Sequence, residues 1–283
     1  MRIVVTGAAG MLGQDVTSRL STRHDISAVD RAQVDITVPD EVGPAIEGAD
    51  VVVNCAAYTA VDDAETHEGE AFAINALGPG VLARACAAAG VRLVHISTDY
   101  VFDGAATAPY PHDATPRPRS AYGRTKLAGE WAIQAAGGDH LILRTAWLYG
   151  AGGGCFPRTI ARVAAARDHL DVVADQHGAP TWTVDVADLI ARLVEGGAPR
   201  GIYHATAGGE TTWYDFARAT VTAAGLDAGI VHPVTSEAFP RPAARPAYSV
   251  LGHEALRAIG VQPIGEWHER WLEAAPSVLA ATG

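Results

Sequence analysis

Short apolar runs alternate with longer segments of helical period along the first half of the chain. Arg2-Ile3-Val4-Val5-Thr6, Asp25-Ile26-Ser27-Ala28-Val29-Asp30, Asp50-Val51-Val52-Val53-Asn54, Val91-Arg92-Leu93-Val94-His95-Ile96 and His140-Leu141-Ile142-Leu143-Arg144-Thr145 read as buried strands. Between them, Ala71 to Ala87 is Ala-rich and periodic, as a helix packed on a sheet should be, and Gly90 caps it. Strand and helix in strict alternation predict right-handed βαβ crossovers and a Rossmann-like, doubly wound parallel sheet. The texture changes after Gly150, where Ala151-Gly152-Gly153-Gly154-Cys155 reads as a loop and a helix follows over Phe156 to Arg167. The predicted division is a dinucleotide-binding domain over 1–150 and a smaller substrate lobe over 151–182 and 208–283. A helix at Val184–Ile190 and a strand at Gly201–Ala205, within 183–207, return to the first domain.

Ligands of such sheets bind beyond the carboxyl ends of the strands. The first strand runs directly into Gly7-Ala8-Ala9-Gly10-Met11-Leu12-Gly13-Gln14. Gly7 permits a tight turn, Gly10 a close approach of backbone to a diphosphate, and Gly13 close packing of helix on strand. The diphosphate would sit on the helix N-terminus. The spacing is G-x-x-G-x-x-G rather than G-x-G-x-x-G, so its place after a first strand carries the signal. Asp30 ends the second strand where an acid can accept from a ribose 2′-hydroxyl, favouring NAD, whereas Arg31 could bind a 2′-phosphate. The two pull in opposite directions. Asp35 and Ile36 are open to two readings, the adenine rim or a helix start. Cys55, Ala56 and Ala57 end the third strand in small side chains that leave room for a cofactor, and Tyr58 begins the polar segment beyond.

Ser97-Thr98-Asp99-Tyr100 ends the fourth strand, and Tyr122 and Lys126 follow on one face of a helix. An ammonium beside a phenol lowers its pKa, and a phenol so tuned can exchange a proton with a carbonyl or alcohol oxygen. Thr98 could hold that oxygen. Taken alone, a Tyr-x-x-x-Lys pair is more often a surface packing pair, and the glycine turn at the N-terminus is what raises it. Asn75 is either a helix-surface residue or a polar contact in the site. Arg241 and Arg245, in a proline-rich extended tail, are either solvated or a forked clamp on a diphosphate.

The chain has 283 residues, 48% hydrophobic, enough for a large core, and a net charge of −11, which disfavours nucleic acid or an anionic membrane as partner. Three scattered cysteines, Cys55, Cys86 and Cys155, fit neither a disulfide framework nor a zinc site and suit reduced thiols in cytoplasm. The first strand leaves no room for a signal peptide, and no apolar run is expected to reach membrane-span length.

Several stretches together carry a resemblance: Thr6-Gly7-x-x-Gly10-x-x-Gly13-Gln14, Asn54-Cys55-Ala56-Ala57-Tyr58-Thr59-Ala60-Val61-Asp62, Ile74-Asn75-Ala76, Ser97 to Gly104, Tyr122-Gly123-x-x-Lys126, Arg144 to Tyr149, Asp175-Gln176-x-Gly178-x-Pro180-Thr181 and Arg245-Pro246-x-x-Ser249-x-Leu251. The chain resembles the extended short-chain dehydrogenases/reductases and, within them, the dTDP-4-dehydrorhamnose reductase family. The resemblance implies NADPH- or NADH-dependent reduction of the C4 ketone of dTDP-4-dehydro-L-rhamnose. It implies catalysis by Thr98, Tyr122 and Lys126, and cofactor contacts from Gly7, Gly10, Met11, Leu12, Asp30, Arg31, Asp35, Ile36, Cys55, Ala56, Ala57, Tyr58, Tyr122 and Lys126. Substrate contacts would come from Val61, Thr98, Asp99, Tyr100, Trp147 and Arg245, although a buried aromatic at 147 would look the same. Some family members join as a Mg-dependent homodimer through acidic side chains, but no such ligands map onto this sequence. Alternatives of the same fold are a reductase for another dTDP-4-keto-6-deoxysugar and a non-catalytic subunit like the regulatory subunit of methionine adenosyltransferase.

Overall fold

The structure is a computed structural model and describes residues 1–280. In chain order its first half comprises β1 (Arg2–Thr6), α1 (Met11–Ser21), β2 (Asp25–Val29), α2 (Pro39–Ile46), β3 (Val51–Asn54), α3 (Glu68–Phe72), α4 (Gly78–Ala89), β4 (Arg92–Thr98), α5 (Ala121–Ala136), β5 (His140–Thr145) and β6 (Leu148–Tyr149). The second comprises α6 (Phe156–Ala164), β7 (Leu170–Val173), β8 (His177–Gly178), β9 (Thr181–Trp182), α7 (Thr183–Glu195), β10 (Gly201–His204), β11 (Thr211–Thr212), α8 (Trp213–Ala223), β12 (Val231–Val234), α9 (Glu254–Ala258) and α10 (Trp267–Ala280).

Six strands form one parallel sheet in the order β10-β5-β4-β3-β1-β2, the order of a doubly wound fold. Side chains alternate across it. Ile3, Val5, Val51 and Val53 face a core shared with Leu12, Val16 and Leu20 of α1 and Ile190 and Leu193 of α7. Val4, Val52, Leu93 and Ile142 face the opposite core, with Val42 and Ile46 of α2, Leu82 and Cys86 of α4 and Ile133 of α5. β10 and α7 thus complete the sheet and one of its covering layers from well beyond residue 150.

α3, a π-helical turn at Ala73–Leu77 and α4 run on as one helix over Glu68–Ala89. Against the sequence expectation, its length and apolarity suffice to cross a membrane. The reason for that composition is packing: α2 and α5 lie against it, and α4 buries Val81, Leu82, Ala83 and Cys86.

α9 lies against β10 with Leu256 in the first core, and other elements beyond β5 build a smaller lobe. β7 pairs with β12, and α6, α8 and α10 enclose Tyr149, Phe216 and Trp271. The extended stretch near the C-terminus sews the lobes together. Tyr110 N donates to Val250 O at 2.9 Å and His177 N to Ala247 O at 2.8 Å. The Ala243 N–H reaches Asp62 Oδ1 at 3.2 Å, and Arg245 forms an ion pair with Asp62 at 2.8 Å.

Candidate active site

The carboxyl ends of β1, β3, β4 and β5 open onto a cleft of about 910 Å³. At its floor Gly7 has φ +67°, and a Cβ there would lie 2.5 Å from Ala56 N, so the turn fits only without a side chain. At Gly13 a Cβ would meet Gly7 O at 2.2 Å. The turn is therefore pressed against β3 and its own helix, with the α1 N-terminus facing the cleft. Gln14 fastens a second loop over it, donating from Nε2 to Ala9 O at 2.8 Å and Gly152 O at 3.0 Å. Glycines 153 and 154, read from sequence only as loop, line the cleft as a result.

Along the wall stand Gly7, Gly10, Met11, Leu12, Arg31, Asp35, Ile36, Cys55, Ala56, Ala57, Tyr58, Val61, Thr98, Asp99, Tyr100, Tyr122, Lys126 and Trp147. Asp30 is not on it: its Oδ1 accepts from Ala32 N at 2.8 Å, closing a turn past β2. Arg31 is on the wall, its side chain 78% exposed and its guanidinium 3.3 Å from Asp35. Arg245 stands in an adjoining recess of about 380 Å³, which shares Tyr100 and Trp147 with the cleft. Val34, Ile74 and Thr145 also line the cleft, and nothing in their local pattern sets them apart from core residues.

Thr98 ends β4 and caps a 3₁₀ turn at Asp99–Val101, accepting from Tyr100 N at 3.2 Å and donating to Asp99 Oδ1 at 3.0 Å. α5 begins at a Ser120 cap, whose Oγ accepts from Gly123 N at 3.1 Å. A Cβ at Gly123 would fall 2.2 Å from Tyr100 O, so the helix start lies directly on that turn. Tyr122 is thereby brought beside Thr98 on the cleft wall. Behind the helix, Arg144 grips Glu130 with two bonds of 3.0 and 2.7 Å, and Ser97 Oγ donates to Glu130 Oε1 at 2.5 Å. This buried fork ties α5 to β4 and β5.

The electrostatics correct one sequence expectation. Burial pushes the Tyr122 pKa up to about 12, against the opposing influence of the neighbouring Thr98 hydroxyl and with help from the Asp99 charge. Lys126 does not lower it, because the ammonium is turned inward to Ile96 O at 2.6 Å. Burial lowers the Lys126 pKa to about 8 and raises that of Asp99 to about 6. Spacing placed the two side chains on one face, but burial sets the Tyr122 pKa while Lys126 points away to Ile96 O.

Asn75 proves to be buried, where the π-helical turn carries it inward to Tyr58 and Thr125. Trp147 adopts φ 48° and lies flat on Trp213, ring centres 3.6 Å apart and planes 8° from parallel. Among the described residues no group of three or more His, Cys, Asp or Glu side chains could hold a metal ion.

Residues 1–279 match the RmlD substrate binding domain family. The chain belongs to that family. A probable dTDP-4,6-dihydroxy-2-methyloxan-3-one 4-ketoreductase of Streptomyces antibioticus is 48% identical over 99% of this chain and 97% of its own. The dTDP-4-dehydrorhamnose reductase of Mycolicibacterium smegmatis is 45% identical over 99% and 87%. Among solved structures, the dTDP-4-dehydrorhamnose reductase of Bacillus anthracis in complex with NADP superposes with a TM-score of 0.92 at 36% identity, covering 96% of this chain and 98% of that one. The RmlD-family chain described here has the cradle a nicotinamide dinucleotide requires: a side-chain-free turn, a helix N-terminus behind it and a cleft of dinucleotide size.

Proposed function

We infer that the chain reduces the C4 ketone of dTDP-4-dehydro-L-rhamnose to dTDP-L-rhamnose with a reduced nicotinamide dinucleotide. The observation that carries this is the meeting of Thr98, Tyr122 and Lys126 at the wall of a cleft whose floor is the glycine turn. Membership of the RmlD family and the names of its relatives support the substrate class.

The reduced nicotinamide supplies a hydride to the sugar C4. Thr98 orients the ketone oxygen with its hydroxyl, and Tyr122 gives that oxygen a proton as negative charge develops on it. The raised pKa of Tyr122 suits this direction, since the phenol arrives protonated at neutral pH. Lys126, when charged and turned towards the cleft, offsets the phenolate left behind and donates to the nicotinamide ribose. Gly7, Gly10, Met11 and Leu12 hold the diphosphate by backbone N–H groups. Arg31, exposed on the wall while Asp30 is engaged in its turn, favours the 2′-phosphate of NADPH. Tyr100, Val61 and Trp147 enclose the sugar, and Arg245 in the adjoining recess reaches the dTDP diphosphate.

The test follows nicotinamide absorbance with dTDP-4-dehydro-L-rhamnose and identifies the product. Oxidation yielding dTDP-L-rhamnose, reduced about a thousandfold in Tyr122→Phe with cofactor affinity kept, is expected. A Tyr122→Phe enzyme of undiminished turnover would overturn the assignment. The Streptomyces antibioticus relative favours a second reading, a different dTDP-4-keto-6-deoxysugar. Turnover of such a sugar in preference to dTDP-4-dehydro-L-rhamnose would select it.

A further inference from the structure

Lys126 is the only lysine in the chain, and it is buried against His95, which is also fully buried. No role for His95 follows from the reaction as described above. Parallel pairing of β3 with β4 sets Asn54 opposite His95 in register, and a hydrogen-bond chain runs through both. The Ala56 backbone N–H, on the cleft wall, donates to Asn54 Oδ1 at 3.1 Å, and Thr6 Oγ1 donates to the same oxygen at 2.7 Å. A backbone N–H cannot accept, so the amide orientation of Asn54 is settled and its Nδ2 points to His95 Nδ1, 3.0 Å away. Nδ1 must then accept. In the neutral ring the proton consequently sits on Nε2, and Nε2 is the atom that faces Lys126 Nζ at 3.5 Å.

An ammonium and an Nε2–H are both donors and cannot bond to each other. A neutral amine can accept from Nε2–H while still donating to Ile96 O. We propose that His95 is a positioning residue that biases Lys126 towards the neutral amine and holds it inward, with its tautomer dictated from the cofactor loop through Asn54.

The other charged or titratable groups near Lys126 act in the opposite direction or not at all. Cys55 and Glu130 favour the ammonium, but Glu130 is already committed to Arg144 and Ser97. Tyr122, one turn earlier on α5, is held protonated by burial. Burial and the Lys126 charge keep the His95 pKa well below its usual range, so the ring stays neutral across the working pH range. The lowered pKa of Lys126 agrees with this arrangement.

Because the chain has one lysine, protein labelled with ¹³Cε-lysine gives one lysine side-chain resonance, and its pH titration reads Lys126 directly. The inference rests on the proposed reductase reaction only for its kinetic consequence, and this titration does not depend on turnover. His95→Asn keeps a side-chain amide near Asn54 but brings no donor to Lys126. Its titration midpoint should lie about one pH unit above that of the unsubstituted protein, a tenfold shift towards ammonium. The alkaline limb of kcat/KM should move the same way, and His95→Gln, whose longer amide can again present an N–H towards Lys126, should bring both back, whereas water admitted to a loosened site would leave them raised. An unmoved midpoint overturns the proposal. Should His95→Asn not fold, ¹⁵N-histidine spectra of the unsubstituted protein decide: a neutral ring protonated on Nε2 supports it, and one protonated on Nδ1 refutes it.

Discussion

Asn75 and Tyr58 are joined by a reciprocal pair of hydrogen bonds: Tyr58 N donates to Asn75 Oδ1 at 2.8 Å, and Asn75 Nδ2 donates to Tyr58 O at 3.0 Å. A third bond, from Nδ2 to Thr125 Oγ1 at 3.2 Å, reaches α5 one residue before Lys126. The cleft loop and the helix bearing Tyr122 are therefore registered through one amide. A Cβ at Gly129 would lie 2.1 Å from Asn75 O, so α5 also sits against the π-helical turn that presents this amide. Asn75→Ala strands the backbone groups of Tyr58 and should cost about 2–4 kcal/mol of stability. Urea unfolding measures it, and a loss below about 0.5 kcal/mol would show that the loop finds other partners.

Trp147 occupies the left-handed region, where a bulky residue persists only if its surroundings hold it. Trp213 covers one face of its ring, and Gly178 leaves the space it needs, since a Cβ there would fall 2.4 Å from the ring. Trp213→Ala should raise KM for the nucleotide sugar about tenfold, leaving cofactor Kd within about twofold, while Trp213→Phe recovers most of the loss. Equal loss of sugar and cofactor binding would mean that the stack supports the whole cleft rather than the sugar side.

Much of this architecture was legible in the chain, and the part that was not has a physical reason. Runs such as Ile3-Val4-Val5 are apolar at every position because the sheet is covered on both faces, and that pattern announces a parallel sheet. The glycine turn, Thr98 and the Tyr122/Lys126 helix were readable as local motifs. His95 was not, because its place opposite Asn54 depends on the register between two strands that are distant in sequence. Trp213 pairs with Trp147 only once the smaller lobe folds back over β5. Asp30 stands off the cleft wall because the turn past β2 directs one of its carboxylate oxygens to Ala32 N, a loop detail that periodicity does not carry. Helical spacing suggested that Lys126 would acidify Tyr122, yet spacing carries no information on burial, and burial decides the sign.

Arg31 gives a direct test of cofactor choice. Its guanidinium has Asp35 as ion-pair partner and is mostly solvated, so a 2′-phosphate can approach without displacing a buried contact. Arg31→Ala should lower kcat/KM with NADPH about tenfold or more and change that with NADH by less than about threefold. Measured side by side, an equal fall for both cofactors would remove Arg31 from 2′-phosphate recognition.

Asp99 makes the fold itself sensitive to pH. It is buried beside Thr98, and burial raises its pKa from 3.8 to about 6, although hydroxyls of Ser249 and Thr98 favour the carboxylate. A carboxyl with a raised folded pKa binds its proton more tightly folded than unfolded, so its contribution to stability declines as pH rises from about 4 to about 6 and stays low above. Asp99→Asn has no charge to desolvate. The stability difference, variant minus unsubstituted protein, should therefore increase by up to about 3 kcal/mol between pH 4 and pH 8. Taking the difference cancels every other titrating group, including Lys126, and any fixed loss from altered hydrogen bonds. Urea unfolding at the two pH values reads it. A difference independent of pH would mean that Asp99 is hydrated or paired well enough to ionise normally.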